Sequence, residues 1–223
     1  MAAYHALIQL VALSGFLGSM GATVAQTLPP RVGSNVDLAA MLKDAQANPA
    51  QLESLVKSGA KVATFCASCH GDGGNSAKPD VPNLAGQNAA YLLEEMRQFM
   101  DGRRRDTEFK QRLIKVLSPQ EKIGLNLYYS RQSVTHKPAA NPALAAKGQA
   151  IYKKECADCH EDDGRGTDKV ARVAGQQLEY LNHTLNAYRT GSSLRSNRQM
   201  TTTVRSLSEP DVSAVAAYMA SMK

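Results

Sequence analysis

The chain has 223 residues, with 26 Lys and Arg against 20 Asp and Glu, a formal net charge of +6. A surplus this small and this scattered does not mark a nucleic-acid binder. The length allows two small domains or one large one.

Residues 1–25 contain no Lys, Arg, Asp or Glu. Leu7 to Val24 is apolar with interspersed small residues, and Thr23-Val24-Ala25 resembles a cleavage site before Gln26. This is the pattern of a secretory signal peptide, 1–25, removed on export to the periplasm. An uncleaved membrane anchor is the alternative, because the run is nearly long enough to span. No other segment is apolar enough to cross a membrane, so membrane association would come only through a partner or an uncleaved N-terminus.

Residues 26–36 are turn-rich. Leu38, Met41, Leu42 and Ala45 then follow a helical period, with Asp37 as N-cap. A second helical pattern, Leu52, Leu55, Val56, Val62 and Phe65, leads into the stretch Cys66-Ala67-Ser68-Cys69-His70. A glycine-rich loop and Pro82 follow. Tyr91, Leu92, Glu95, Met96 and Phe99 share one side of a helix over 89–101, closed by Gly102 as C-cap. Arg103-Arg104-Arg105 opens a polar loop over 103–110, the ordinary setting of a charge run, although such a run can also help dock an acidic redox partner. Ser118-Pro119-Gln120-Glu121 is a capping box with proline at the first helical position. Residues 135–143, with Pro138 and Pro142, read as a linker between a first domain, 26–134, and a second, 144–223. Leu144, Gly148, Ile151 and Tyr152 then lead a helix into Cys156-Ala157-Asp158-Cys159-His160.

Both Cys-x-x-Cys-His stretches carry the attachment pattern of c-type haem. On one helical turn, positions i and i+3 lie on one face, so Cys66 with Cys69, and Cys156 with Cys159, can reach the two vinyl groups on one porphyrin edge. His70 and His160 then sit under the iron as proximal ligands. These two motifs use all 4 cysteines of the chain. A structural zinc site would bring its ligand pairs close in sequence, and a redox Cys-x-x-Cys would follow a strand. Neither context is present, and two covalently bound haem c groups are expected.

The halves align as an internal repeat. Ala85-Gly86-Gln87 matches Ala174-Gly175-Gln176. Tyr91, Phe99 and Gly102 match Tyr180, Tyr188 and Gly191, and Leu117-Ser118 matches Leu207-Ser208. The helix at 37–47 has no counterpart and reads as an extension packed on the first domain. Each half is too short to bury a large core alone, and a porphyrin supplies apolar mass.

With these repeats the chain resembles the dihaem class I cytochromes c of the cytochrome c4 type, over about residues 55–223. The resemblance implies an all-α fold of two tandem class I cytochrome c domains, each enclosing one haem, and electron transfer in the periplasm towards a respiratory partner. It implies that Pro82 offers its carbonyl to His70, with Ala171 in that place in the second half. It also implies a distal methionine before the last helix, which Met200 supplies in the second domain. Met200 falls in what reads as a polar loop.

In the first domain Lys110 stands at the matching position. Three states remain for the first iron: ligation by Lys110 after loss of its proton, an open or water-bound site, or a rearranged Met96 or Met100. A nitrogen donor would lower the first haem's potential below the second's, so an electron would run downhill from the first domain to the second. The reading is a carrier working between donor and acceptor proteins. Its rival is a dihaem oxidoreductase, for example one acting on a small sulfur compound, with the first haem as active site. A ligand sensor or the redox subunit of an enzyme is the third class.

Overall fold

The computed structural model describes residues 36–105, 108–192, 195 and 197–223. Residues 1–25, expected from the sequence to be a signal peptide, lie outside the described residues. Val36 to Lys223 forms one compact unit. Among the described residues eleven α-helices run α1 Leu38–Ala47, α2 Pro49–Ala63, α3 Ala67–His70, α4 Ala89–Asp101, α5 Glu108–Val116, α6 Pro119–Ser130, α7 Pro142–Glu155, α8 Ala157–His160, α9 Leu178–Thr190, α10 Arg198–Arg205 and α11 Glu209–Ser221. Helices α2 to α6 and α7 to α11 are the two copies of the repeat. Among the described residues no strand forms.

Local chemistry sets the helix ends. The Asp37 carboxylate accepts from the Ala39 and Ala40 amides at the start of α1. Asn48 and Asn141 cap α2 and α7, each followed by proline in the first turn. The α7 helix therefore begins at Pro142, slightly before the apolar pattern restarts. Ser118 and Ser208 form reciprocal capping boxes with Glu121 and Asp211. Gly102 and Gly191 close α4 and α9 in the left-handed conformation, which costs a residue without Cβ little.

In each domain the first and last helices cross at glycine. A Cβ on Gly59 would lie 2.0 Å from the Gly124 carbonyl oxygen, and one on Gly148 would lie 1.9 Å from that of Ala214. Only bare backbone lets α2 meet α6, and α7 meet α11, at this separation. The larger apolar residues pack around the crossings, with Tyr129, Ile123 and Leu127 in the first domain and Tyr152, Val212 and Val215 in the second, all essentially solvent-free. Helix α1 buries Leu42 and Ala45 against Ala89, Leu93, Ile123 and Leu127. The extension thus covers an apolar face of α4 and α6.

Three sequence expectations change. The loop after α4 is shorter than 103–110, because Phe109, Leu113 and Val116 recur at helical spacing and α5 begins at Glu108. Met200 sits on helix α10, not in a loop, because Asn197 caps that helix by accepting from the Met200 amide. Phe65 follows the end of α2 at Ala63 and lines the cavity instead of continuing that helix's buried face.

Two haem sites in one cavity

Each Cys-x-x-Cys-His stretch forms one short helical turn. Helix α3 carries Cys69 and His70, with Cys66 at its N-cap, and α8 repeats this with Cys159, His160 and Cys156. The two histidine rings are fixed alike. His70 Nδ1 donates to the Pro82 carbonyl at 2.9 Å, and His160 Nδ1 donates to the Ala171 carbonyl at 2.8 Å. Committing Nδ1 as donor makes Nε2 the lone-pair nitrogen that an iron would use. Burial holds the His160 pKa below its usual value, with the Ala171 carbonyl opposing, so the imidazole is neutral at pH 7. Burial likewise raises the Cys66 thiol and pushes Cys156 up to about 12. Before a haem is attached, both are therefore thiols at neutral pH.

The motifs open on one continuous cavity of about 350 Å³, with an apolar lining. Cys66, Cys69, His70 and Lys110 line it from the first domain, and Cys156, Cys159, His160 and Met200 from the second. Thiol pairs beside an oriented imidazole, in an apolar space, fit a covalently held porphyrin. Among the described residues no three His, Cys, Asp or Glu side chains gather as they would around a free metal ion. Met200 also packs against the second domain's core. Of the other methionines considered, Met96 lines the cavity, and its sulfur lies 3.6 Å from the Asn126 amide nitrogen as acceptor. Met100 does not line it.

The repeated Ala-Gly-Gln turns join the domains as mirror copies. Gln87 Oε1 accepts from the Arg172 amide at 2.7 Å while its Nε2 donates to the Arg172 carbonyl at 2.9 Å. Gln176 does the same to Asn83, at 2.7 and 3.0 Å. The matching residues of the two halves thus exchange equivalent bonds, as in an isologous dimer. Asn88 and Gln177 add bonds to the Val170 and Ser76 carbonyls across the seam.

The family described as Cytochrome c matches residues 56–120 and 145–223, the two halves of the repeat. The cytochrome c4 of Pseudomonas aeruginosa is 32% identical over 171 residues, covering 70% of this chain and 83% of that protein. The chain belongs to the dihaem class I cytochromes c of the cytochrome c4 type. The crystal structure of reduced recombinant cytochrome c4 from Pseudomonas stutzeri superposes on this cytochrome with a TM-score of 0.68 at 27% identity, over 75% of this chain and 98% of that one. A Stutzerimonas stutzeri protein named thiosulfate dehydrogenase electron acceptor is 29% identical over 200 residues, covering 83% of this chain and 92% of its own. This cytochrome therefore carries two covalently bound haem c groups and transfers electrons between redox partner proteins.

Sequence reasoning missed the polar centre of the cavity. Arg104 belongs to a run expected to be solvated, yet its side chain is only 13% exposed. It pairs with Glu95 and stacks 4.3 Å over the Phe99 ring. Arg195, from the second domain, reaches the same Glu95 carboxylate at 3.9 Å and bonds to Tyr180 and Tyr91. The backbones of Arg104 and Arg195 pair in an isolated antiparallel bridge. The only sequence signal was Glu95 on the apolar side of α4.

Proposed function

We propose that this cytochrome is an exported, periplasmic relay in which electrons reach the first haem and leave from the second towards a respiratory or oxidoreductase partner. Residues 1–25 act as the signal peptide, 26–134 and 144–223 form the haem domains, and 135–143 link them. No helix among the described residues is long and apolar enough to cross a membrane. Cys66 and Cys69 bind the first haem with His70 as proximal ligand, and Cys156, Cys159 and His160 do so for the second. Met200 is the distal ligand of the second iron and Lys110 that of the first.

The observation that carries this reading is the non-equivalence of matched positions in one shared cavity, Lys110 on α5 against Met200 on α10. A thioether favours ferrous iron and raises the potential, whereas an amine lowers it. Ferric haem with a methionine ligand shows a weak far-red charge-transfer band. Its intensity per chain is expected to match one such haem, and Lys110→Met is expected to double it. Intensity for two in the natural chain removes Lys110 as ligand, and so does a variant whose band does not grow.

A second reading, the redox subunit of a small-sulfur-compound oxidoreductase, has support of its own. One relative bears the name of an enzyme's electron acceptor. Val116, 78% open and outside the cavity lining, is a large exposed apolar side chain of the first domain, and Ser206 holds its matching place in the second. Arg112 and Lys115 flank it in sequence, which suits a partner with an acidic surface. Co-purification with such an enzyme from native extract supports this reading, and isolation as a lone cytochrome opposes it.

A further inference from the structure

Most of the cavity obeys the repeat. The matched Tyr91 and Tyr180 hydroxyls both accept from Arg195, the backbones of the loop arginines Arg104 and Arg195 pair with each other, and the glutamine locks are reciprocal. One buried charge does not obey it. Glu95 lies on α4 four residues after Tyr91, and the residue four after Tyr180 on α9 is Thr184. Both side chains line the cavity. The first domain therefore holds a buried carboxylate where the second holds a neutral hydroxyl.

A carboxylate that is only 10% exposed is costly unless paired. Glu95 has two cations within reach, Arg104 and Arg195, themselves 13% and 15% exposed. The cluster carries one surplus positive charge, the complement of the carboxylates that a porphyrin brings to such a cavity. Arg195 comes from the other domain, so the cation is shared across the seam. The anion is fixed to α4, the helix whose Tyr91, Leu92, Met96 and Phe99 line the first half of the cavity.

We propose that Glu95 is a positioning and charge-setting residue that lowers the first haem's potential relative to the second, giving the relay its direction. Ferric haem carries one more positive charge than ferrous haem. A fixed negative charge stabilises the ferric form, and does so most for the nearer site and where water is excluded. The inference rests on the first-to-second relay proposed above, and adds to any bias from the ligand at Lys110 without depending on it.

The test uses the full holo-protein in a redox titration that resolves each haem by its own ferric ring-methyl proton resonances. Glu95→Gln keeps the side chain's shape and removes its charge. The first haem's potential is expected to rise more than the second's, changing the electron-sharing equilibrium between them about tenfold, or 59 mV for a one-electron couple. The far-red band should not change, which separates a charge effect from a ligand change. Glu94→Gln is the control, since Glu94 is 40% exposed and pairs with Arg97 and Arg103 at the surface. It should leave both potentials in place. Thr184→Glu supplies the converse and is expected to lower the second haem relative to the first. Equal shifts of both haems in Glu95→Gln, or none, overturn the proposal. If Glu95→Gln does not fold, an unchanged difference in Thr184→Glu overturns it.

Discussion

Replacing Gly148 by alanine sets two effects against each other. Alanine is the better helix former by about 1 kcal/mol, and Gly148 lies inside α7. Intrinsic preference alone therefore predicts a more stable protein. The fold predicts the reverse. The new Cβ would stand 1.9 Å from the Ala214 carbonyl oxygen and 2.9 Å from the Val215 nitrogen, so α7 and α11 must part by about 1.5 Å to restore ordinary contact. The obstacle is backbone, so no rotamer change relieves it. Tyr152, Val215 and Ala216 are wholly buried around the crossing and would lose contacts as the helices separate. Overpacking of this kind costs about 1–3 kcal/mol and occasionally more. Taking the upper end and subtracting the helix preference leaves about 2 kcal/mol of destabilisation. If Val36–Lys223 melts as one unit, that lowers the midpoint by about 4–8 °C. Thermal unfolding of the holo-protein, followed by far-UV circular dichroism, measures it. A midpoint equal to or above that of the natural chain would refute the close-crossing argument.

Other consequences are as direct. Gln176→Leu removes the bonds at 2.7 and 3.0 Å that satisfy the amide and carbonyl of buried Asn83. It is expected to cost about 2–4 kcal/mol in denaturant unfolding, whereas an unchanged midpoint would mean that the seam holds without this lock. The Ser118 amide donates to Glu121 at 2.7 Å, and the Ser208 hydroxyl donates to Asp211 at 2.6 Å. These bonds hold both carboxyls below their ordinary range. Because the folded pKa values are depressed, the caps contribute fully above the unfolded carboxylate range and are lost as pH falls through the folded values. The denaturation midpoint should therefore decline on acidification. Glu121→Gln with Asp211→Asn should flatten that decline, and parallel profiles would count against the caps.

Much of the architecture was legible because its signals are local. Asp37, Ser118 and Ser208 announce helix starts by side chains that reach only their own first turn. Gly102 marks a helix end by its own conformation. The haem motifs are contiguous, and the family resemblance implied Pro82 beside His70 and Ala171 beside His160. What could not be read depends on partners distant in sequence. Three consecutive arginines give no sign that the middle one turns inward, since its carboxylate lies on α4 and its backbone partner is Arg195 of the other half. The Ala-Gly-Gln repeat was visible, but its use as a reciprocal seam needs both copies face to face. Met200 was placed in a loop because the surrounding residues are polar. The Asn197 cap and the burial of Val204 are enough to make that stretch a helix.

The account turns on two unlike haems working in sequence, and a spectroelectrochemical titration of the intact protein tests this most directly. It predicts two one-electron waves. The higher-potential wave carries the loss of the far-red sulfur-to-iron band, and the lower-potential wave leaves that band untouched. A single potential common to both haems, or a far-red band lost with the lower wave, would contradict it.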